Sequence, residues 1–270
     1  MRRRRTRTRR RLLPRLLFVA VVIAVVLLAR AAYRSPQVNE WLTHGESTVS
    51  AGTMHDLRAY ARKNGFDVSA YPDELIALYE RNEDARQFVL DYPLKKDETP
   101  TVDLSDLAGS GSVPLLMQWD ERWGYREYNG NIIGLAGCGP TCLSMVAIYL
   151  RGDTSMTPLW MCQYAEQHGY CVAGSGTTWS FMTEGARALG LDVTEIPMDE
   201  TRIRNNLEVG NPIVCIVGPG DFTTTGHFIV LTGLKDGKIT VNDPNSLKNS
   251  QKLWTFDQLQ GQVQGLWVMR

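Results

Sequence analysis

Acid is what the start of this chain lacks. The first fifteen residues hold nine arginines (Arg2, Arg3, Arg4, Arg5, Arg7, Arg9, Arg10, Arg11 and Arg15) and no aspartate or glutamate. The formal net charge of zero therefore hides an asymmetry, because setting those nine aside leaves 20 of the 29 basic residues against 29 acidic ones. A body of net charge about −9 argues against nucleic acid as a partner. Histidine is scarce at 4 residues, and Cys162 and Cys171 lack zinc-ligand spacing with partners. There is no glycine-rich nucleotide loop and no internal repeat, so no metal or other cofactor is expected. A hydrophobic fraction of 43% is ordinary for a globular core and excludes both wholesale disorder and a multi-pass membrane protein.

Polar residues are also missing from 16–29, and the apolar run extends over 12–33 if Arg15 and Arg30 snorkel toward headgroups. A helix of ~20 residues crosses the hydrocarbon layer. The pattern predicts a basic cytoplasmic tail at 1–11, a single membrane anchor at 12–33 and an extracellular remainder. The alternative is a cleaved signal peptide and a secreted product, since Ala29-Arg30-Ala31 fits a small-x-small site.

Past the anchor, 34–94 reads as an extracellular helical segment. Helices are expected at 54–64, closed by Gly65, at 73–82 after Pro72, and at 84–92 before Pro93. They are too few to fold alone and should pack on the next domain or form a stalk. Residues 95–112, charged and then Gly-Ser-rich, read as a linker. From 113 to 270 the pattern is mixed, with helices at 138–150, 157–168, 179–189 and 201–209. Strands are expected at 192–196, 213–217, 227–234 and 238–242, the last two joined through Lys235-Asp236-Gly237. Trp267 and Val268 add a possible final strand. A helical half followed by an antiparallel sheet is α+β.

Gly137-Cys138-Gly139-Pro140-Thr141 opens the first of these helices. Unpaired N–H groups and the dipole at a helix start stabilise a thiolate, and the glycines allow close approach. The plainer reading is a buried structural thiol. His227 starts a strand whose hairpin partner ends at Asn242-Asp243-Pro244, so His227 and Asp243 fall at one end of the sheet. There the carboxylate can fix the imidazole tautomer and stabilise its cation. Asp243 is otherwise a turn former, with Asn242 as fallback orienter. Gln118 precedes the cysteine helix, where its amide can join the Cys138 N–H as an oxyanion donor; from composition alone it is a surface glutamine. With Cys138 as nucleophile, four cysteines remain and allow three pairings, Cys162 with Cys171 being the most local. Cys142 and Cys215 read as buried thiols. Trp119, Trp123, Trp160 and Trp179 are expected in the core, one of them shielding the cleft. His44, His55 and His168 read as solvated or helix-capping.

The set Gln118-x-Asp120-x-x-Trp123, Gly137-Cys138-Gly139-Pro140-Thr141, Gly226-His227-Phe228 and Asn242-Asp243-Pro244 resembles the C39-like branch of papain-fold cysteine peptidases. Relatives there include domains that remove double-glycine leaders. The resemblance spans 113–270 and implies Cys138 as nucleophile, His227 as general base and acid, Asp243 as orienter and Gln118 in the oxyanion hole. It implies a peptide or cell-wall peptide as substrate. No exporter module and no cell-wall-binding repeat accompany the motif. A cell-wall amidase, a transpeptidase or a non-catalytic surface module would carry the same residues, and residues 54–92 could act as a pro-segment. No feature of the sequence points to an oligomeric state.

Overall fold

Capping residues set the first elements of the computed structural model, which describes residues 49–174 and 176–270. Ser50 accepts from the Thr53 N–H to start α1 (Ala51–Asn64), and Gly65 closes it in the left-handed region at φ 79°. Helix α2 (Asp73–Arg81) follows Pro72, with Asp73 and Glu74 complementing the dipole of its first turn. Helix α3 (Arg86–Lys95) runs past Pro93 instead of stopping before it. Proline there removes one bond in a turn that is ending anyway, so the expected stop at 92 is displaced by three residues. The basic tail, the apolar run and His44 lie outside the described residues. Among the described residues no helix is long and apolar enough to cross a membrane.

Ser50–Arg270 forms one compact unit. The first three helices pack on the remainder of this unit and do not form a stalk. Phe88 stacks on Tyr125 with centroids 4.3 Å apart and planes at 6°. It also covers Gly124 and Gly134, where an added Cβ would come within 2.7 and 2.6 Å of its ring. Asn82 Nδ2 donates to Asn245 O at 2.6 Å, and the Leu247 N–H donates to Asp84 Oδ2 at 3.0 Å. The stretch 95–112 is not free of the body either. Leu104 is buried and Val102 and Leu107 pack beside it. Three apolar side chains among acids escape a composition average but suffice to pin a strap.

The short hairpin β1 (Glu127–Tyr128) and β2 (Asn131–Ile132) leads through α4 (Ile133–Ala136) into α5 (Cys138–Arg151). Gly139 to Ile148 are all buried, so α5 is apolar around its circumference and sits centrally, until Gly152 ends it at φ 66°. Thr157 caps α6 (Pro158–Gln167), and a small ladder of β3 (Cys171–Val172) and β4 (Gly176–Thr177) comes next. The helix expected over 179–189 breaks at Thr183 into a 3-10 turn, Trp179–Met182, and α7 (Glu184–Ala188). Next come β5 (Val193–Glu195), α8 (Glu200–Glu208), β6 (Ile213–Val217), β7 (His227–Lys235) and β8 (Lys238–Asn242). Asp236 and Gly237, at φ 51° and 71°, make the tight turn between the last two. Helices α9 (Leu247–Gln251) and α10 (Phe256–Gln260) precede β9 (Val263–Met269).

The five-stranded sheet has the order β5-β9-β6-β7-β8, and every pair is antiparallel. The final strand is thus interior, between β5 and β6. Val214 and Ile216 face the cluster around α5, while Ile213, Cys215 and Val217 face the cluster under α8 and Trp254. Both faces being covered, β6 is apolar at every position. Helices lie on both sides, which refines the simpler picture of a helical half followed by a sheet.

Candidate active site

Cys138 is the first residue of α5, and Gly137 before it is forced by packing: a Cβ there would lie 2.7 Å from Ile133 O and 2.6 Å from its methyl carbon. A Cβ on Gly139 would come 3.0 Å from Thr177. The close approach that both glycines allow is therefore that of neighbouring protein, Ile133 and Thr177. Within the first turn the N–H of Cys138 has no intrahelical acceptor.

His227 begins β7 and Asp243 follows β8, so the hairpin brings them together as its register requires. His227 Nε2 lies 2.7 Å from Asp243 Oδ1, and both residues are buried. The other ring nitrogen is left for the Cys138 thiol, which lines the same clefts and is close enough to raise the imidazole's pKa. Asp243 accepts two further bonds, from Asn245 N–H at 2.8 Å and from Asn249 Nδ2 at 2.8 Å, and its own N–H donates to Ser250 Oγ at 2.9 Å. Asn245, Asn249 and Ser250 were not anticipated. The only signal for them is the turn chemistry of Asn242-Asp243-Pro244-Asn245-Ser246, which caps α9 and returns the chain over the carboxylate. Asn242 does not orient His227; its amide donates to Val113 O at 3.1 Å and Pro114 O at 3.0 Å, tying the sheet to the start of the domain.

Burial disfavours charge on all three groups, yet their mutual contacts prevail. Desolvation would lower the His227 pKa, but the Asp243 carboxylate and the Cys138 sulfur raise it to about 10. Burial would raise Cys138, but His227 and the N–H groups of Phe228 and Gly139 hold it below the usual thiol value. Asp243, desolvated in the same way, is held below the ordinary carboxylate range by His227, Asn249 and the Asn245 N–H. The arrangement favours thiolate, imidazolium and carboxylate in a row. The other thiols go the opposite way: burial raises Cys142, Cys162, Cys171 and Cys215. All five cysteines are free, so Cys162 and Cys171 form no disulfide. Cys162 is instead sealed in the core at 1% exposure.

Gln118 is buried, not a surface residue. Its N–H donates to Pro244 O at 2.8 Å, which couples it to the Asp243 turn, and its Nε2 donates to Gly134 O at 2.9 Å. An amide nitrogen carries two hydrogens, and the second remains for a ligand. Its Oε1 is buried without a partner, a cost of about 1–3 kcal/mol that folding alone does not repay.

Two clefts meet at Cys138 and His227. One, of about 540 Å³, runs past Asn129, Thr177, Trp179 and Gln264. The other, of about 860 Å³, runs past Gln118, Thr223, Thr224, Thr225 and Trp254. Trp123 is fully buried as expected, but Trp160 and Trp179 are 36% and 48% exposed. Trp179 instead packs edge-on against Trp267 and walls the smaller cleft. His55 and His168 are exposed, the latter donating from Nδ1 to Tyr164 O at the end of α6. Among the described residues no group of His, Cys, Asp or Glu is arranged to hold a metal.

Fold and site define a class by geometry: an α+β protein whose central helix presents a cysteine to a histidine–carboxylate pair on an antiparallel sheet. Residues 111–269 match the profile of the Peptidase_C39 like family, more than half of the chain, and the chain belongs to that family. Membership supports a peptidase. Two solved structures are similar to it. The peptidase domain of Streptococcus ComA, a bi-functional ABC transporter involved in a quorum sensing pathway, is 24% identical over 49% of this chain and 89% of that chain, with a TM-score of 0.38. A Bacillus anthracis protein described as a C39-like peptidase is 16% identical over 63% of this chain and 98% of that chain, with a TM-score of 0.34. A comparison with curated proteins finds no match.

Proposed function

We propose that this chain is a membrane-anchored cysteine peptidase whose Cys138, His227, Asp243 and Gln118 hydrolyse a peptide bond through an acyl-enzyme. The observation that carries the reading is the buried 2.7 Å contact of His227 with Asp243 beside the one thiol whose pKa is lowered. The Cys138 thiolate attacks the substrate carbonyl, and the oxyanion accepts from the Cys138 N–H and the free hydrogen of Gln118 Nε2. As the tetrahedral intermediate collapses, the C–N bond breaks and His227 gives its proton to the leaving amine. Neutral His227 then takes a proton from water, hydroxide adds to the thioester, and the acid product leaves as the thiolate and imidazolium re-form. Asp243 holds the tautomer throughout and stays ionised.

The apolar run at 12–33 and the arginines before it support an anchor with the tail in the cytoplasm and the peptidase outside. Limiting iodoacetamide at neutral pH, followed by peptide mapping, tests the nucleophile. Cys138 should be alkylated well before Cys171, with Cys142, Cys162 and Cys215 unmodified in the native state, and Cys138→Ala should abolish hydrolysis of a fluorogenic peptide library. Labelling of Cys138 no faster than Cys171 would refute the reading. Products carrying an added amine in place of water would identify a transpeptidase.

A further inference from the structure

The two clefts at Cys138 differ in charge. Apart from Cys138 and His227, which both clefts share, the smaller one is lined by neutral residues. The larger one collects Arg81, Lys248 and Lys252 against a single acid, Asp221. Asp221 is already engaged, its Oδ2 accepting from Gln262 Nε2 at 3.0 Å. None of the three cations pairs with a carboxylate among the described residues. Lys252 is fixed over the Trp254 ring, its Nζ 3.7 Å from the centroid. Arg81 is exposed as a residue, yet desolvation around its head pulls the guanidinium below its ordinary value. Three unpaired cations on a body of net charge about −9 run against the background, and a low-dielectric wall concentrates their field inside the cleft.

Arg81 comes from the end of α2, outside residues 111–269 that match the family. Its neighbour Asn82 is buried and bonded to Asn245 O, which fixes the position from which Arg81 enters the cleft. The preceding helices thus wall the site.

We propose that Arg81, Lys248 and Lys252 form a carboxylate-binding subsite on the Gln118 side of the scissile bond, so that the enzyme selects acidic peptides. The proposal rests on the peptidase reading of Cys138. An acidic side chain within a few residues of the cleaved bond, or the terminal carboxylate of a short peptide, would meet the cations there, while the other side of the bond meets neutral walls. Arg81 presents a planar fork suited to a carboxylate, and the two lysines add point charge.

A peptide library with matched Glu and Gln at each position, cleaved and read by mass spectrometry, tests this. Glu should be enriched on one side of the bond only, by about 10–100-fold in kcat/KM as charge-assisted hydrogen bonds allow. Arg81→Gln and Lys252→Gln should each bring that ratio toward unity, and Arg81→Glu should turn the preference toward Lys. Peptides ending in a free acid or an amide separate the terminal carboxylate from an acidic side chain. Binding of the same peptides to Cys138→Ala, followed by fluorescence anisotropy, reads the subsite without turnover. Cleavage with no acidic preference, or a preference that survives Arg81→Gln, would overturn the subsite and leave the peptidase standing. Tighter binding of Glu peptides by Cys138→Ala with no cleavage by the native enzyme would sink the peptidase and keep the subsite.

Discussion

Replacing Asp243 by Asn keeps the shape of a side chain that is 1% exposed and removes its charge. Asp243 receives three donors, from His227, Asn245 and Asn249. Asparagine must turn its NH₂ toward at least one of them, so a donor will face a donor in a buried site. With the carboxylate gone, burial dominates at His227 and drives it toward the neutral imidazole at pH 7. Cys138 then loses its cationic partner. An ordinary thiol of pKa about 8.5 is only about 3% ionised at pH 7, so alkylation of Cys138 should slow by about 30-fold or more. Hydrolysis should fall further, by about 10²–10⁴, because the imidazolium is also the proton donor to the leaving amine. The decisive assay is the rate of iodoacetamide reaction against pH. The native profile should level off at lower pH than an ordinary thiol, while Asp243→Asn should still be rising past about pH 8.5. A thermal melt of the variant controls for unfolding, since stripping a buried charged pair costs about 3–5 kcal/mol. Parallel profiles in a folded variant would refute the assigned role of Asp243.

The same groups set a pH window for stability. His227 has a raised pKa, so its contribution is full below about 6.5 and is lost as pH rises through about 10. Cys138 has a lowered one, so its contribution is full above about 8.5 and is lost as pH falls through its folded value. Above both about 6.5 and the folded value of Cys138, and below about 8.5, the folded and unfolded pair each hold one proton, and the two slopes cancel. Urea midpoints should therefore plateau there and drop on both sides, and Cys138→Ala should turn the plateau into a fall that begins at about 6.5, because His227 then keeps its proton with no thiol giving one up; a plateau that persists in the variant contradicts the assignment. Gln118→Ala should lower kcat by about 10²–10³ while alkylation of Cys138 stays near native, as expected of a group that meets only the oxyanion; equal losses in both assays would mean that it merely holds the turn. Phe88→Ala removes a ring stacked on Tyr125 and should cost about 3–5 kcal/mol in a single cooperative transition. A separate, earlier melt of 51–95 would show that those helices are not integral.

Legibility in the sequence followed the range of the interactions involved. Helix α5 was readable because Gly137 and Gly152 bracket it, and β6 because a strand covered on both faces has no polar position. His227 and Asp243 were readable together because a two-residue turn fixes a hairpin's register, and register decides which residues share an end. What was missed depends on distant chain. The interior place of β9 follows from pairing between β6 and a strand some fifty residues later, which no local pattern encodes. Thr183 breaks the expected helix where Phe181 is claimed by the core. The strap at 102–107 was hidden for the opposite reason, since three apolar residues among acids are too few to signal burial without the groove that receives them.

The site divides along the same line. Groups that make and break bonds must sit within hydrogen-bond reach of one another, so they recur on fixed elements and leave short motifs such as Gly137-Cys138-Gly139. Groups that choose a substrate need only reach the cleft, and Arg81 does so from a helix that ends 57 positions before the cysteine. Such a residue carries no local signature, because an exposed arginine at a helix end is also an ordinary dipole-complementing residue. Only its unpaired position beside Asn82, which is locked to the Asp243 turn, gives it a role in the cleft. Selectivity in this chain would then vary through the preceding helices while the thiolate, imidazolium and carboxylate stay as they are.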